Sequence, residues 1–183
     1  MTTKTVLVTG CSSGGLGYAL AKAFRERGCC VFATARDTSK VTSPLTEDDG
    51  IEVLALDVTS PESIETCVQQ VRDRTDKIDI LVNNAGVAIF GPLVHASISE
   101  GKALYDVNFW GVLAVAQAFT PLLVRSSGVM MNICSIGATN PLAWQGEAHD
   151  SVSWPSLTYY KIQEYTTVPK PLRPCCPRIC ASS

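Results

Sequence analysis

Nine residues near the start of the chain constrain its fold most. Thr9-Gly10-Cys11-Ser12-Ser13-Gly14-Gly15-Leu16-Gly17 follows the apolar run Thr5-Val6-Leu7-Val8 and leads into a helix-like stretch. Four glycines within eight residues at a strand-to-helix junction describe a tight turn whose backbone N–H groups are uncovered. Such a turn lets a pyrophosphate approach the main chain and rest on the positive end of the helix. A strand-to-helix turn can use one or two glycines for steric reasons alone, but four in this placement point to a dinucleotide. Gly10, Ser12, Ser13, Gly14, Gly15, Leu16 and Gly17 are therefore candidate cofactor-binding residues.

Residues 4 to 146 repeat the same alternation. Apolar strands are expected at Lys4–Thr9, Cys30–Ala35, Glu52–Asp57, Ile78–Asn83 and Val129–Cys134, with helices near 16–27, 61–75 and 99–125. Runs such as VLV, VFA, VLAL and ILV show no polar alternation, as in strands covered on both faces by helices. Ser60-Pro61-Glu62 has the form of a helix start, with a capping hydroxyl, a proline at the first helical position and an acid suited to the dipole. The expected fold is α/β, a Rossmann-type doubly wound parallel sheet that stops after its fifth strand.

Arg36 closes the second strand in VFATAR. An acid there would accept a hydrogen bond from the ribose 2′-OH of NAD, whereas an arginine can pair with the 2′-phosphate of NADP. Asp37 follows at once, so some tolerance of NAD stays open. A strand-end arginine is often simply solvated, but after a glycine loop it favours NADP(H).

The 183 residues suffice for one well-buried domain, with 46% hydrophobic and 17% charged residues. The net charge of −2 offers no basic face for nucleic acid. No apolar run approaches the roughly 18 residues of a membrane span, and the start of the chain lacks the charged and apolar regions of a secretion signal. The 8 cysteines include no CxxC pair and no Cys/His cluster, so reduced thiols without a metal are expected.

Several motifs now stand in order. TGCSSGGLG is followed by LDVT at 56–59, NNAG at 83–86, VNFWG at 107–111 and NICSIGA at 132–138. In this order and at about this spacing they resemble the short-chain dehydrogenase/reductase family over residues 4 to 146. The resemblance implies that Asp57, with Val58 beside it, contacts the adenine, and that Asn84, Ala85 and Gly86 line the cofactor. It implies that Asn108 helps hold a proton-relay water through a local helix distortion, and that Ser135 hydrogen-bonds a substrate carbonyl. In the family's generic loop the last glycine comes one residue earlier. The form SGGLG, with VFATAR and PLAWQG, is most similar to the fungal NADPH-dependent 1-acyldihydroxyacetone phosphate reductases. That similarity implies a lipid-like ketone or alcohol substrate and a cytoplasmic location, with peripheral attachment to endoplasmic reticulum or lipid droplets allowed. Steroid or retinoid dehydrogenases are the nearest alternatives, since a fold alone does not choose a substrate, and a catalytically dead dinucleotide-binding fragment is the alternative outside the enzymes.

The family's chemistry also needs a tyrosine as general acid and a lysine four residues on. Counted from Ser135 these fall on Ala148 and Val152, and no Tyr-x-x-x-Lys occurs in the chain. Tyr159, Tyr160 and Lys161 have the wrong spacing. Residues 147–183 hold 5 of the 10 prolines and 3 of the 8 cysteines, with no sustained period of 2 or 3.6. Codon degeneracy suggests a reason. Back-translated from Glu164 and read one frame over, the tail permits V-Y-N-S-S-K-A-A-T-T-M-L-S-E-N-L-R-L-E, which contains Tyr-x-x-x-Lys. Gly146-Glu147 can encode a splice donor and Gln163 an acceptor. Removing the stretch between them puts a tyrosine at position 148. The expected organisation is an incomplete nucleotide-binding domain, 1–146, and a foreign, disordered tail, 147–183, made of retained intron and frame-shifted coding sequence. The fifth strand is then expected to be an open sheet edge, with Phe109, Trp110, Leu113 and Val115 partly exposed.

Overall fold

The computed structural model describes residues 3–89, 95, 97–135 and 160–161. The elements run β1 (Thr5–Val8), α1 (Leu16–Glu26), β2 (Cys30–Ala35), a 3-10 turn (Thr38–Lys40), β3 (Ile51–Ala55), α2 (Pro61–Arg72) and β4 (Ile80–Asn83). They continue with α3 (Ile98–Tyr105), a π-helical turn (Asp106–Gly111), α4 (Val112–Ser126), β5 (Val129–Asn132) and β6 (Tyr160–Lys161).

The sheet order is β3-β2-β1-β4-β5-β6, and β1 to β5 are all parallel. The strands carry apolar residues on both faces because both faces are covered. In β1, Leu7 joins one cluster with Phe32, Leu81, Ile64, Val68 and Phe119, on the side of α2 and α4. Its neighbours Val6 and Val8 join Val31, Ala33, Val82 and Ala21 on the side of α1. Side chains alternate across a strand, so a run of apolar residues feeds both layers.

Chain direction across the sheet reverses at β1. The connection through α1 leads outward to β2 and β3, and that through α2 returns to β4 on the other side of β1. A crevice therefore opens at the C-terminal ends of β1 and β4, the place where doubly wound sheets take their ligands. The α2 start has the expected form: Ser60 Oγ accepts from the Ser63 N–H at 3.2 Å, Pro61 opens the helix and Glu62 sits in its first turn.

The parallel part of the sheet ends at its fifth strand, as expected, but other expectations need correction. The edge of that strand is not open, because the two-residue β6 pairs antiparallel with β5 at Val129 and Met130. A bare edge carries unpaired N–H and C=O groups, and an antiparallel segment satisfies them. Two residues of the tail thus belong to the sheet, while the rest of 147–183 lies outside the described residues. Val115 is fully buried within the α2/α4 cluster, whereas Trp110 and Leu113 are exposed. Finally, the helical stretch Ile98–Ser126, 29 residues long, is apolar and long enough by length and composition to cross a membrane. Within it Leu104, Val115, Phe119, Leu122 and Leu123 are buried in the core, whereas Ile98, Trp110 and Leu113 are exposed. The bounds of β2 are those read in the sequence, and the other strands differ at one or both ends by one or two residues, as fraying makes usual.

Candidate functional site: a cleft at the ends of β1 and β4

The crevice is built outward from Thr9, the residue after β1. Thr9 is almost completely buried, and its Oγ1 accepts from the backbone N–H groups of both Asn84 and Ala85 at 2.9 Å. The hydroxyl itself donates to the Val82 carbonyl at 3.4 Å. In return, Asn84 Nδ2 donates to the carbonyls of Thr9 (2.7 Å) and Gly10 (3.1 Å). The glycine loop and the NNAG segment are therefore locked to each other. Asn83 reaches the other way, donating from Nδ2 to Asn132 Oδ1 at 2.9 Å between β4 and β5.

The glycines have different tasks. Gly10 has φ +73°, and a Cβ there would come within 2.9 Å of Ala85 Cα, so it supplies both the left-handed turn and the close approach. A Cβ on Gly17 would collide with Asn84 Nδ2 and the Gly10 carbonyl, so this glycine lets α1 pack under the loop. Gly14 has φ +79° with open space around it.

A cavity of about 430 Å³ lies above this lock. It is lined by Gly10, Ser12, Ser13, Gly15, Leu16, Arg36, Asp57, Val58, Asn84, Ala85 and Gly86, all singled out from the sequence. Ala35, Leu56, Val87 and Val107 also line it and were missed, because only the fold brings these apolar positions to the crevice. Gly14 and Gly17 are not among the lining residues.

Arg36 stands at the β2 end of this cavity, and no hydrogen bond or ion pair among the described residues engages its guanidinium. Asp57 stands nearby at the end of β3. Its carboxyl is held below the ordinary range, chiefly by the Thr59 hydroxyl (2.7 Å), then by the Thr59 N–H (2.9 Å) and the Arg36 charge, against the opposing cost of partial burial. It is thus an anion with its own turn to support. A glycine loop at the N-terminus of α1, a cation after β2 and an anion after β3 stand along one rim, an arrangement that fits the parts of a dinucleotide.

Asn108 occupies the π-helical turn Asp106–Gly111, the distortion expected of this helix. Its Oδ1 accepts from the Val87 N–H and its Nδ2 donates to the Val87 carbonyl, both at 2.9 Å. Asn108 thereby fastens the chain just after NNAG. Gly111 allows the helix to approach Val58, since a Cβ there would lie 2.7 Å from Val58 Cγ2. Ser135 is exposed, three residues beyond β5, and is not among the described residues that line the cavity. Positions 148 and 152 lie outside the described residues.

Cys11 lies beneath the loop, buried, with Sγ 3.3 Å from the Val8 carbonyl. Burial pushes its thiol up to about 12, and that of Cys67 likewise, so neither is a thiolate at neutral pH. Among the described residues no group of three or more His, Cys, Asp or Glu is placed to hold a metal.

Comparison with known proteins agrees with this geometry. The profile described as short chain dehydrogenase matches residues 4–147. A short-chain dehydrogenase of Talaromyces islandicus is 51% identical over 144 residues, which are 78% of this chain and 50% of that protein. An NADPH-dependent 1-acyldihydroxyacetone phosphate reductase of Schizosaccharomyces pombe is 39% identical over 77% of this chain and 47% of its own length. The chain thus spans about half the length of the curated relatives it matches. Among solved structures, a gluconate 5-dehydrogenase of Burkholderia cenocepacia in complex with NADP and tartrate matches with a TM-score of 0.75 and 26% identity. That match covers 84% of this chain and 62% of the other.

The lock predicts a specific weakness. Thr9→Val keeps shape but removes the acceptor for two N–H groups, and a buried unsatisfied donor costs about 1–3 kcal/mol. Denaturant unfolding is expected to show a loss of at least that size, with Thr9→Ser close to the parent. A Thr9→Val chain as stable as the parent would mean that Thr9 does not hold the cleft together.

Proposed function

The chain belongs to the short-chain dehydrogenase family, and from that premise we propose that it serves NADPH-dependent carbonyl reduction of a lipid-like ketone. The observation that carries the cofactor half of the proposal is Arg36, which lines the cavity beside the glycine loop and whose guanidinium has no hydrogen bond or ion pair among the described residues. When bound, a nicotinamide dinucleotide supplies or accepts a hydride. The chain's own residues do the holding. Loop amides and the α1 N-terminus would face the pyrophosphate, Arg36 the 2′-phosphate, Asp57 and Val58 the adenine, and Asn84, Ala85 and Gly86 the floor of the cleft. The NADPH-dependent relative and the NADP complex support this reading.

A 1-acyldihydroxyacetone phosphate, or another lipid-like ketone, suits the SGGLG, VFATAR and PLAWQG segments. Ser135 is the proposed carbonyl partner, with Asn108 as the holder of a relay water. General acid catalysis contributes ~10²–10⁴-fold, and no tyrosine stands 13 residues after Ser135. We therefore propose that catalysis belongs to a form of the chain in which the stretch from 147 to 163 is absent and the following frame is restored. Sequencing transcripts across codons 146 to 164 is expected to find the spliced form. The 183-residue chain is expected to reduce no ketone measurably, and reduction at an ordinary reductase rate, lost in Ser135→Ala, would overturn this part.

The cofactor assignment has its own test. Arg36→Asp replaces an arm for the 2′-phosphate by an acid suited to a 2′-hydroxyl. Titration is expected to show NADPH weakened at least about tenfold, as the loss of a charge-assisted pair implies, with NADH changed far less. Equal losses for the two nucleotides would refute the assignment.

A further inference from the structure

An arginine that faces a phosphate is ill served by a carboxylate beside it, yet Asp37 follows Arg36 directly. The geometry shows where that carboxylate goes. Asp37 has extended backbone (φ −122°, ψ 104°) and caps the 3-10 turn Thr38–Lys40. Its Oδ1 accepts from the Ser39 N–H at 3.1 Å and from the Ser39 hydroxyl at 2.6 Å. Lys40 Nζ stands 4.0 Å from its other oxygen. Arg36 lines the cavity and Asp37 is not among the lining residues. The aspartate is therefore an acceptor turned into its own turn.

The turn is in its turn stitched to the glycine loop. The Ser13 N–H donates to the Lys40 carbonyl at 2.8 Å, so this loop amide is already engaged. Ser13 Oγ accepts from the Thr42 N–H at 2.9 Å and lies 2.7 Å from Thr42 Oγ1. From α1, the Tyr18 hydroxyl donates to the Ser43 carbonyl at 2.6 Å. The segment carrying Arg36 is thus anchored to the loop and to α1 by contacts that involve no ligand.

We propose that Asp37 and Ser13 are positioning residues for cofactor selection. Asp37 caps the turn that follows Arg36, Ser13 ties that turn to the glycine loop, and together they hold Arg36 at the mouth of the cleft before a nucleotide arrives. This rests on the reading that the cleft takes NADPH. It makes Asp37, which as a bare charge would oppose a 2′-phosphate, a determinant in favour of one. Repulsion between exposed charges in water is weak, whereas losing a capping acceptor unties the turn.

The two roles predict opposite signs. Asp37→Ala removes both the charge and the cap. Asp37→Asn removes the charge and keeps an oxygen for the Ser39 N–H, since asparagine caps as well as aspartate. Dissociation constants for NADPH and NADH, and amide hydrogen exchange of the nucleotide-free chain, are measured for the parent and both variants. Asp37→Ala is expected to weaken NADPH about fivefold, the size of one lost cap, with NADH changed less than about twofold. Exchange at Ser39 and at the Ser13 amide should be faster in Asp37→Ala, and Asp37→Asn should restore both properties. Tighter NADPH binding by Asp37→Ala would overturn the proposal, as would equal weakening by both variants with unchanged exchange. If the parent binds NADPH no better than NADH, the cofactor reading fails. The exchange data then decide the clamp alone, with faster exchange upholding it and unchanged exchange refuting it.

Discussion

The cleft depends on a hydroxyl at the end of the central strand. Thr9 Oγ1 accepts two backbone N–H groups from the turn after β4, and Asn84 answers by donating to two carbonyls of the glycine loop. These bonds join segments about 75 residues apart in sequence. They decide how far apart β1 and β4 end, and so the width of the crevice at the point where the sheet changes direction. Each bond pairs a side chain with a backbone group in a partly buried place, where an unmade hydrogen bond is costly. Gly10 and Gly17 have no Cβ because the lock leaves no room for one.

From that fixed point the other parts follow by chain geometry. Parallel strands set their C-terminal ends side by side, which brings Arg36 after β2 and Asp57 after β3 to the same rim. The π-helical turn carries Asn108 to Val87, closing the chain downstream of NNAG. The cavity is thus the product of four strand ends and one helix distortion, each anchored through a backbone contact. A site of this kind is rigid before ligand binds, which lowers the cost of ordering it on association.

How much of this could be read from the sequence depended on how local each signal was. The parallel sheet was legible because apolar runs without alternation are a property of single strands, and β1 and β4 show it over four residues. The α2 start was legible because Ser60, Pro61 and Glu62 act within one turn. Cavity residues next to glycines or strand ends could be named for the same reason. What was missed lies in contacts between distant residues. Nothing near Asp37 in sequence reveals that Ser13 will hold the turn it caps, and nothing near Asn84 reveals Thr9 as its partner. The role of Val115 was misread because its burial depends on α2. The pairing of β6 with β5 could not be foreseen from a segment without periodicity.

The central claim is that the crevice above Thr9 and Asn84 receives the dinucleotide. Amide hydrogen exchange of the chain with and without NADPH tests it most directly, since protection reports where backbone becomes ordered or covered. The account predicts added protection confined to the glycine loop at 10–17, the strand ends at Arg36 and Asp57, and the segment 84–87. Protection centred instead on a second groove, lined by Ile64 and Val68 of α2 and Ala114 and Ala118 of α4, or none at saturating NADPH, would contradict it.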